Sequence, residues 1–562
     1  MTTPSPPKPG LGVLPIFGLA ALSALIFFAA FPPWGVWGLV LLAPIPLALA
    51  CRLAARARTL FVMVFATQLV LWLVVQSWVM DVTLPGYLAF SLYLAVLCSV
   101  QALCLRALCR GALGLPLTVA VPLVLVGFDW LKGSVIFNGY PWYLWGQPLI
   151  DCPPLARLAM LGGVAVPAVI ALAASGLAAE LLLGLFCVSN RTRLVARCAP
   201  GVLVLLAGGV LVLLQPASEV GLGESRSILM VQTNLTTSNK IRWSEEDKRR
   251  DVRSFMELSI DGVAAARQAG DTPELVVWPE TMLPSVGFEY GDIFTRSIEQ
   301  LVDELDVPFL VGTGSYPDLR VNDDGEAEWD REYNSAYLVT PSGAPHERVD
   351  KVFLTPFGET MPYISNWTWL ETQLLAFGAE GMAFELDAGS TSVRPALPRE
   401  ADEPPVHFAV PICFEDTMPE VVRGMVWSEG ARAANLLINI SNDGWFGTSD
   451  AGRAMHTLCA RWRAIENDLW LVRVANTGDS LVVDPSGAIV DRVPSGPRTT
   501  GTRLVEVGVS RSAPTAFARL GETFGFLCGL AMGMALVVEW TSRRRQHAGS
   551  VPSDIPAQGG AA

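Results

Sequence analysis

Three polar residues stand directly after apolar, strand-like runs, and their side chains could together carry out thiol-based acyl transfer. Glu280 follows a Trp-Pro pair, Lys351 follows an aspartate, and Cys413 follows the apolar run 406–412. A thiol is weakly ionised at neutral pH, so as a nucleophile it needs a nearby base or cation. A carboxylate at the end of a buried strand could take the proton, and an ammonium could stabilise an oxyanion. The sequence thus predicts a base, a cation and a nucleophile.

Each of these residues also has a simpler explanation when taken alone. An isolated cysteine is usually a small buried hydrophobic side chain, a single glutamate is usually a solvated loop residue or a helix cap, and a single lysine is usually a surface charge. A catalytic interpretation is favoured because all three occur in one stretch of chain, each at the edge of a predicted strand.

The composition indicates a membrane protein with a folded part outside the membrane. The chain has 562 residues, of which 51% are hydrophobic and only 17% charged, which is too apolar for a purely soluble protein. The net charge of −13 provides no basic stripe for phosphates, so we expect no nucleic-acid partner. The ten cysteines and four histidines are scattered without metal-like spacing, so we expect no metal and no cofactor.

Eight apolar segments approach the roughly 20 residues needed to cross a bilayer. They lie near 12–31, 35–51, 59–79, 87–105, 115–131, 158–186, 197–215 and 521–541. A signal peptide is the alternative for the first segment, but only Lys8 precedes it and no small-residue cleavage site follows. We therefore expect seven spans, an extramembrane stretch and one further span.

The basic residues of the short loops predict the orientation, because such residues prefer the cytoplasm. They follow the second, fourth and sixth segments: Arg52, Arg56, Arg58, Arg106, Arg110, Arg191 and Arg193. Alternation of the spans then places the stretch 220–515 outside the cytoplasm. That stretch alternates strand-like runs with amphipathic helical patterns, which predicts a layered α/β domain with catalytic residues at strand ends.

The predicted organisation has four parts. They are a transmembrane bundle of about seven helices at 1–219, a catalytic α/β domain at 220–515, a last transmembrane helix with a basic flank at 516–545, and a disordered tail at 546–562.

Local motifs give the chain a resemblance to a known family. They are Gly139-Tyr140-Pro141-Trp142, Gln232-Thr233-Asn234, Trp278-Pro279-Glu280-Thr281, Pro356-Phe357-Gly358-Glu359 and Asn442-Asp443-Gly444-Trp445-Phe446-Gly447. With a Glu-Lys-Cys triad they resemble the nitrilase superfamily and, given the apolar segments, its membrane-bound apolipoprotein N-acyltransferases of diderm bacteria. The resemblance implies an αββα sandwich inserted between the seventh and eighth transmembrane helices.

The resemblance also implies an activity and a location. A fatty acyl chain would pass from a phospholipid to a thioester on Cys413, and then to the α-amino group of the diacylglyceryl-cysteine of an apolipoprotein, the last step of lipoprotein maturation. The protein would be a multi-pass protein of the cell inner membrane, with its catalytic domain on the periplasmic side. A site contained within one chain needs no partner subunit, so we expect a monomer.

By resemblance, the general base is Glu280, the oxyanion stabiliser is Lys351 and the nucleophile is Cys413. A second functional carboxylate would be Glu359. The supporting residues would be Glu415, Asn334, Trp243 and Phe414. The family often has tyrosine where this chain has Phe414, so a hydroxyl hydrogen bond is lost and we expect that ring only to pack.

A short aromatic and aliphatic stretch follows Glu359 and suits the headgroup level of a bilayer, where it could admit lipid. Its residues include Trp367, Trp369, Leu374 and Phe377. Packing within the domain core is the alternative explanation.

Two other functions remain open from the sequence. A membrane-anchored nitrilase-type amidase would use the same triad on a small C–N bond, but the apolar stretch and the seven preceding spans would have no purpose. A catalytically silent membrane scaffold would need none of the triad residues, all of which are present.

Overall fold

The computed structural model describes residues 10–187, 191–215, 224–235, 243–343, 346–360, 386–390, 393–397 and 404–548. The predicted lipid-entry residues lie outside these ranges: Trp367, Trp369, Leu374 and Phe377. Their role therefore stays a prediction.

Apolar helices form the first part of the chain. They are α1 (Val13–Ala30), α2 (Pro44–Leu53), α3 (Ala57–Val75), α4 (Leu84–Arg110), α5 (Leu117–Trp130), α6 (Pro153–Ala156), α7 (Ala159–Gly162), α8 (Ala165–Cys187) and α9 (Arg191–Leu213). Shorter helical turns, of 3-10 type apart from the π-helical Leu131–Val135, cover Trp37–Leu41, Ser77–Asp81, Leu131–Val135, Ile136–Asn138 and Gln147–Asp151.

In the described part of the chain, seven helices are long and apolar enough to cross a membrane. They are Val13–Ala30, Ala57–Val75, Leu84–Arg110, Leu117–Asn138, Ala165–Leu185, Arg191–Leu213 and Thr523–Arg545. These agree with seven of the eight predicted segments, although the one predicted at 158–186 begins only at Ala165, after the left-handed Gly163.

The structure differs from the prediction in the second apolar segment, 35–51. A 3-10 turn, Trp37–Leu41, leads into α2, whose ten residues begin at Pro44. Proline lacks the N–H of a helix interior and its ring clashes with the preceding turn, so the helix starts there instead of running through. At about 1.5 Å per residue, α2 is roughly 15 Å long, about half the thickness of the hydrocarbon core.

Two six-stranded sheets form the second part of the chain. The first has the order β16-β1-β2-β3-β6-β7, and the second has the order β15-β14-β13-β12-β9-β8. The strands of the described residues are β1 (Ser225–Gln232), β2 (Leu275–Val277), β3 (Phe309–Ser315), β4 (Arg320–Val321), β5 (Ala327–Glu328), β6 (Tyr333–Val339), β7 (Glu347–Asp350), β8 (Ala396–Leu397), β9 (Val406–Ala409), β10 (Trp427–Ser428), β11 (Ala431–Arg432), β12 (Leu436–Ser441), β13 (Leu471–Ala475), β14 (Leu481–Val483), β15 (Ile489–Arg492) and β16 (Gly501–Gly508). Of these, β4 pairs only with β5 and β10 only with β11, outside the two large sheets.

The strands at the centre of each sheet run parallel. In the first sheet β1, β2 and β3 are parallel neighbours, and in the second β9, β12 and β13 are. The carboxyl ends of parallel neighbours meet at one edge of a sheet, so residues that follow these strands are brought together there.

Helices cover the outer face of each sheet. They are α10 (Glu245–Gln268) and α11 (Ile293–Leu305) on the first, and α12 (Pro419–Val426) and α13 (Asp450–Asn467) on the second. Side chains from both sheets share one core, as Met230 and Ile438 do, while α10 and α11 pack on the opposite face of the first sheet. The architecture is the predicted αββα sandwich, followed by α14 (Ala516–Leu520) and the last membrane helix, α15 (Thr523–Ala548).

The sandwich is joined to the bundle through α13 and the loop after α5. Trp462 donates its indole N–H to the carbonyl of Gln147 at 3.2 Å, and the Gln147 amide donates to the carbonyl of Pro141 at 2.6 Å. From the bundle side, the Lys132 ammonium donates to the carbonyl of Trp142 at 2.8 Å. The loop is therefore fixed by both parts of the protein.

The core between the two sheets gives a test of the fold. Ile438 is fully buried there, so Ile438→Ala leaves a cavity and should cost about 2–5 kcal/mol of stability. Thermal unfolding in detergent, followed by circular dichroism, measures this. The control Val490→Ala removes a side chain that is 50% exposed and should change stability by less than about 0.5 kcal/mol. Equal melting temperatures for the two variants would contradict the sandwich.

Candidate active site

Glu280 lies just beyond β2 with both carboxylate oxygens occupied. The side chain is only 4% exposed. One oxygen accepts a hydrogen bond from the side-chain amide of Asn334 on β6 at 2.7 Å, and the other accepts from the backbone N–H of Asn442 at 2.8 Å. Asn334, predicted as a supporting residue, thus holds the predicted base. Because two donors fix the carboxylate plane, Glu280 has a defined direction in which to accept a proton.

The ammonium of Lys351 lies between two carboxylates. It follows β7, is 1% exposed, and its Nζ is 2.7 Å from both oxygens of Glu359 and 3.6 Å from Glu280. Burial by itself lowers the pKa of Lys351, but Glu359 and Glu280 outweigh that effect and raise the pKa above its usual value. Lys351 is therefore a permanent cation at neutral pH.

Glu359 is the partner that keeps Lys351 in place. Burial raises the pKa of Glu359, but the Lys351 ammonium and the N–H of Thr355, which donates at 2.8 Å, lower it below its usual value overall. Glu359 is therefore ionised and cannot serve as an acid at neutral pH. Its place in the site agrees with the predicted second carboxylate.

Cys413 lies on a sharp turn between a strand and a helix. Its backbone φ is +54°, a left-handed conformation rarely adopted by residues other than glycine, and the 3-10 turn Cys413–Thr417 starts there. Such a turn presents the side chain at the strand's end, as in other strand-turn-helix nucleophiles. Glu280, Lys351 and Glu359 are all near enough to change the pKa of the thiol. The structure therefore brings the three predicted triad residues together.

Burial raises the pKa of Cys413 well above its usual range, and the negative charge of Glu280 adds to this, against the opposing effect of Lys351. The resting side chain is consequently a neutral thiol at physiological pH. A nucleophilic reaction must then remove the proton during attack, and Glu280 is the fixed carboxylate available for it.

Glu415 ties the Cys413 turn to the segment after Lys351. One oxygen accepts from the backbone N–H groups of Val352 and Phe353 at 2.6 and 2.8 Å, and the other accepts from the N–H of Ile412 at 2.6 Å. Burial raises the pKa of Glu415 to about 7 against these donors. Glu415 therefore fixes the backbone before the predicted nucleophile against the segment after Lys351.

The other two supporting candidates lie in different surroundings. Phe414 packs against Phe353, with ring centroids 6.4 Å apart, and belongs to the hydrophobic core of the membrane bundle, which agrees with the expected packing role. Trp243 lies two residues before α10, and its indole N–H donates to Asp251 of that helix at 2.9 Å. None of the contacts of Trp243 within the described ranges reaches the triad.

Two asparagines of the site were not predicted. Besides its N–H to Glu280, Asn442 accepts at its side-chain oxygen from the amide of Asn476 at 2.9 Å, and Asn476 also accepts from the N–H of Leu235 at 2.6 Å. Asn442 lies in a motif that supported the family resemblance. Its motif membership was visible in the sequence, but a backbone amide as a partner of Glu280 has no sequence signature.

The site lies at the junction with the membrane bundle. Phe357 is 40% exposed and its ring centroid is 5.4 Å from that of Phe137, which belongs to the membrane span Leu117–Asn138. Trp445, three residues after Asn442, is 39% exposed. The loop that carries Glu359 therefore contacts the end of a span through the ring of Phe357.

The raised pKa of Cys413 gives a test that assumes no substrate. We expect alkylation of Cys413 by iodoacetamide to be slow at about pH 7 and still rising above pH 8.5, the usual thiol pKa, because the thiolate is scarce below its raised pKa. Peptide mass spectrometry follows the modification, and Cys413→Ala is the control that identifies the peptide. A rate that levels off below about pH 8 would show a thiolate already formed.

Comparison with known proteins agrees with this architecture. Residues 23–177 match the model of the apolipoprotein N-acyltransferase N-terminal domain, and residues 232–517 match that of the carbon-nitrogen hydrolases. A protein of Geobacter metallireducens named apolipoprotein N-acyltransferase is 28% identical over 540 residues, covering 94% of this chain and 95% of that protein. One of the same name from Bradyrhizobium diazoefficiens is 30% identical, over 74% of this chain and 71% of its own length. The chain belongs to the apolipoprotein N-acyltransferase family.

Proposed function

We propose that this chain transfers a fatty acyl chain from a phospholipid, through a thioester on Cys413, to the α-amino group of the diacylglyceryl-cysteine of an apolipoprotein. The observation that carries the proposal is the place of the nucleophile. Phe414, the residue after Cys413, packs in the core of the membrane bundle, and Phe357 beside Glu359 contacts the end of a span. A thiol beside the membrane bundle suits an ester that stays in the bilayer.

In the first half-reaction Cys413 attacks the carbonyl carbon of the phospholipid ester. Glu280 takes the thiol proton as the C–S bond forms, and Lys351 stabilises the negative charge that develops on the carbonyl oxygen. The C–O bond then breaks, and the proton held by Glu280 passes to the leaving alkoxide. A lysophospholipid leaves, and the acyl group remains on Cys413 as a thioester.

In the second half-reaction the free amine of the acceptor attacks the thioester carbonyl. Glu280 takes a proton from the attacking amine, Lys351 again faces the oxyanion, and the C–S bond breaks as the amide forms. The proton returns to the Cys413 sulfur, so the enzyme is restored. One site serves two substrates in turn, which implies ping-pong kinetics.

The location and assembly follow from the same chemistry. Diacylglyceryl lipoproteins and phospholipids meet at a membrane surface, and the basic loop residues favour an orientation with the sandwich on the side away from the cytoplasm. We therefore assign the chain to the inner membrane, with the sandwich facing the periplasm. All the catalytic side chains come from one chain, so a monomer suffices.

Intact-protein mass spectrometry tests the proposal directly. After incubation with phospholipid, wild type should gain one acyl mass, and a diacylglyceryl-cysteine peptide with a free amine should remove it. The matched control Cys459→Ala removes a different buried cysteine of the same domain and should still be acylated, whereas Cys413→Ala should not. An N-acetylated peptide should leave the acyl-enzyme intact.

Each alternative function has a distinct outcome in the same experiment. Turnover of a soluble amide without phospholipid, and without an acyl mass gain, would favour the amidase. Full biological function of Cys413→Ala in cells would favour the silent scaffold.

The role of Lys351 gives a second test. Lys351→Met removes the cation that faces the oxyanion, so the rate of acyl-enzyme formation should fall by about 100-fold or more. Rapid-quench mass spectrometry measures the rate, and circular dichroism checks folding, because Glu280 and Glu359 then lose their partner. The control Lys248→Met removes an ammonium that pairs with Glu245 on the surface of α10 and should keep the wild-type rate. A normal rate in folded Lys351→Met would remove Lys351 from the mechanism.

A further inference from the structure

Two loops carry the parts of the site that must face each other. The first is the 3-10 turn Cys413–Thr417, which presents the nucleophile. The second follows β12, where the backbone N–H of Asn442 holds Glu280. These loops come from separate parts of the chain, so the distance from thiol to base depends on what joins them.

Each loop carries one fully buried aspartate beside its functional residue. Asp416 lies on the Cys413 turn, and Asp443 directly follows Asn442; each is 1% exposed. A buried carboxylate is costly unless a partner compensates its charge. Neither aspartate has a role in the reaction steps described above.

His456 of α13 lies between the two aspartates. Its Nε2 is 2.8 Å from an Asp416 oxygen and its Nδ1 is 3.0 Å from an Asp443 oxygen. The ring is 2% exposed and is enclosed by Trp142 and Phe446, each with ring centroids 5.8 Å away. One rigid side chain therefore connects both loops.

Arg473 of β13 completes the cluster. Its guanidinium is 3.0 Å from both oxygens of Asp443 and 3.5 Å from Asp416. It is also 3.0 Å from the His456 ring, which opposes a charge on the imidazole. Burial and Arg473 lower the pKa of His456, but Asp416 and Asp443 outweigh them and raise it to about 9. A charged ring can donate to both carboxylates. Together with Arg473, it supplies two positive charges that balance the negative charges of Asp416 and Asp443.

We propose that His456 is a positioning residue for the nucleophile, because it bonds Asp416 with one ring nitrogen and Asp443 with the other and so fixes the Cys413 turn relative to the amide that holds Glu280. The thiol and its base then keep one separation throughout both half-reactions. The proposal rests on the proposed function for the reaction concerned, but the geometry of Cys413 can be tested without it.

The test uses two conservative variants that each keep one link. In His456→Asn, the new side-chain amide can replace only the ring N–H that donates to Asp443. In His456→Gln, the longer side chain can replace only the ring N–H that donates to Asp416. In both, the maximum rate of acyl-enzyme formation should fall by about 10- to 100-fold, as expected for a small misplacement of reacting groups, while the half-saturating phospholipid concentration stays within about twofold.

The matched control is Arg453→Gln on the same helix, one turn before His456. Arg453 is 2% exposed, like His456, but donates to the carbonyls of Thr477, Gly447 and Ser449 and to neither aspartate. The Arg453→Gln variant should be less stable than wild type but should form the acyl-enzyme at the wild-type rate. If the His456 variants do not fold, Asp416→Ala removes the acceptor on the Cys413 turn while the ring keeps its bond to Asp443, and it should show the same fall in rate.

Alkylation of Cys413 by iodoacetamide separates this proposal from the proposed function. The His456 variants should change the alkylation rate by at least about threefold, and Arg453→Gln should not, whatever substrate the enzyme takes. An absence of acyl-enzyme in wild type, with the alkylation difference present, would overturn only the proposed function. Folded His456 variants with wild-type rates in both assays, or with only a raised half-saturating concentration, would overturn the positioning role.

Discussion

The ammonium of Lys351, buried between Glu359 and Glu280, is the interaction on which the site depends. Three charges in a nearly water-free space are tolerable only together, because removing one partner of a buried pair leaves an uncompensated charge at a cost of about 3–5 kcal/mol. Lys351 is also fixed through its backbone N–H, which donates to the carbonyl of Asn334 at 2.8 Å. The residue that orients Glu280 thus also orients the cation.

The site around Lys351 contains residues from both sheets of the sandwich. Glu280 and Lys351 follow strands of the first sheet, whereas Cys413 and Asn442 follow strands of the second. Glu415 bonds across the division through the N–H groups of Val352 and Phe353. The geometry of the predicted triad is therefore a property of the packing between sheets. The core that sets the separation of the sheets also sets the distance from the predicted base to the predicted nucleophile.

The membrane bundle takes part in the same packing. Side chains of α13 and of the Cys413 turn belong to the hydrophobic core of the bundle, and the loop after α5 is bonded from both sides. The bundle packs directly against the Cys413 turn. Under the proposed function, this contact brings the thiol close to the ester of a lipid.

Much of the fold could be predicted because its signals are local. Apolar length predicted eight membrane segments, and seven of them are helices of membrane-spanning length in the described part of the chain. The alternation of short apolar runs with amphipathic ones predicted a layered α/β domain, which was confirmed. The segment 35–51 was different, because average hydropathy does not register that the α-helix there begins only at Pro44. For the site, residue type and strand-end position predicted Glu280, Lys351 and Cys413, and the structure places them together.

The sequence by itself determined which chemical groups are present, how apolar each segment is and which family the motifs resemble. Only the tertiary structure decided which partner each group has. Asn442 holds Glu280 through a backbone amide that every residue but proline carries, and His456 meets Asp416 and Asp443 from a different helix. Hydrogen bonds require separations near 3 Å and a suitable angle. Residues distant in the chain reach that geometry only when sheets, helices and bundle have packed, so no local pattern records it.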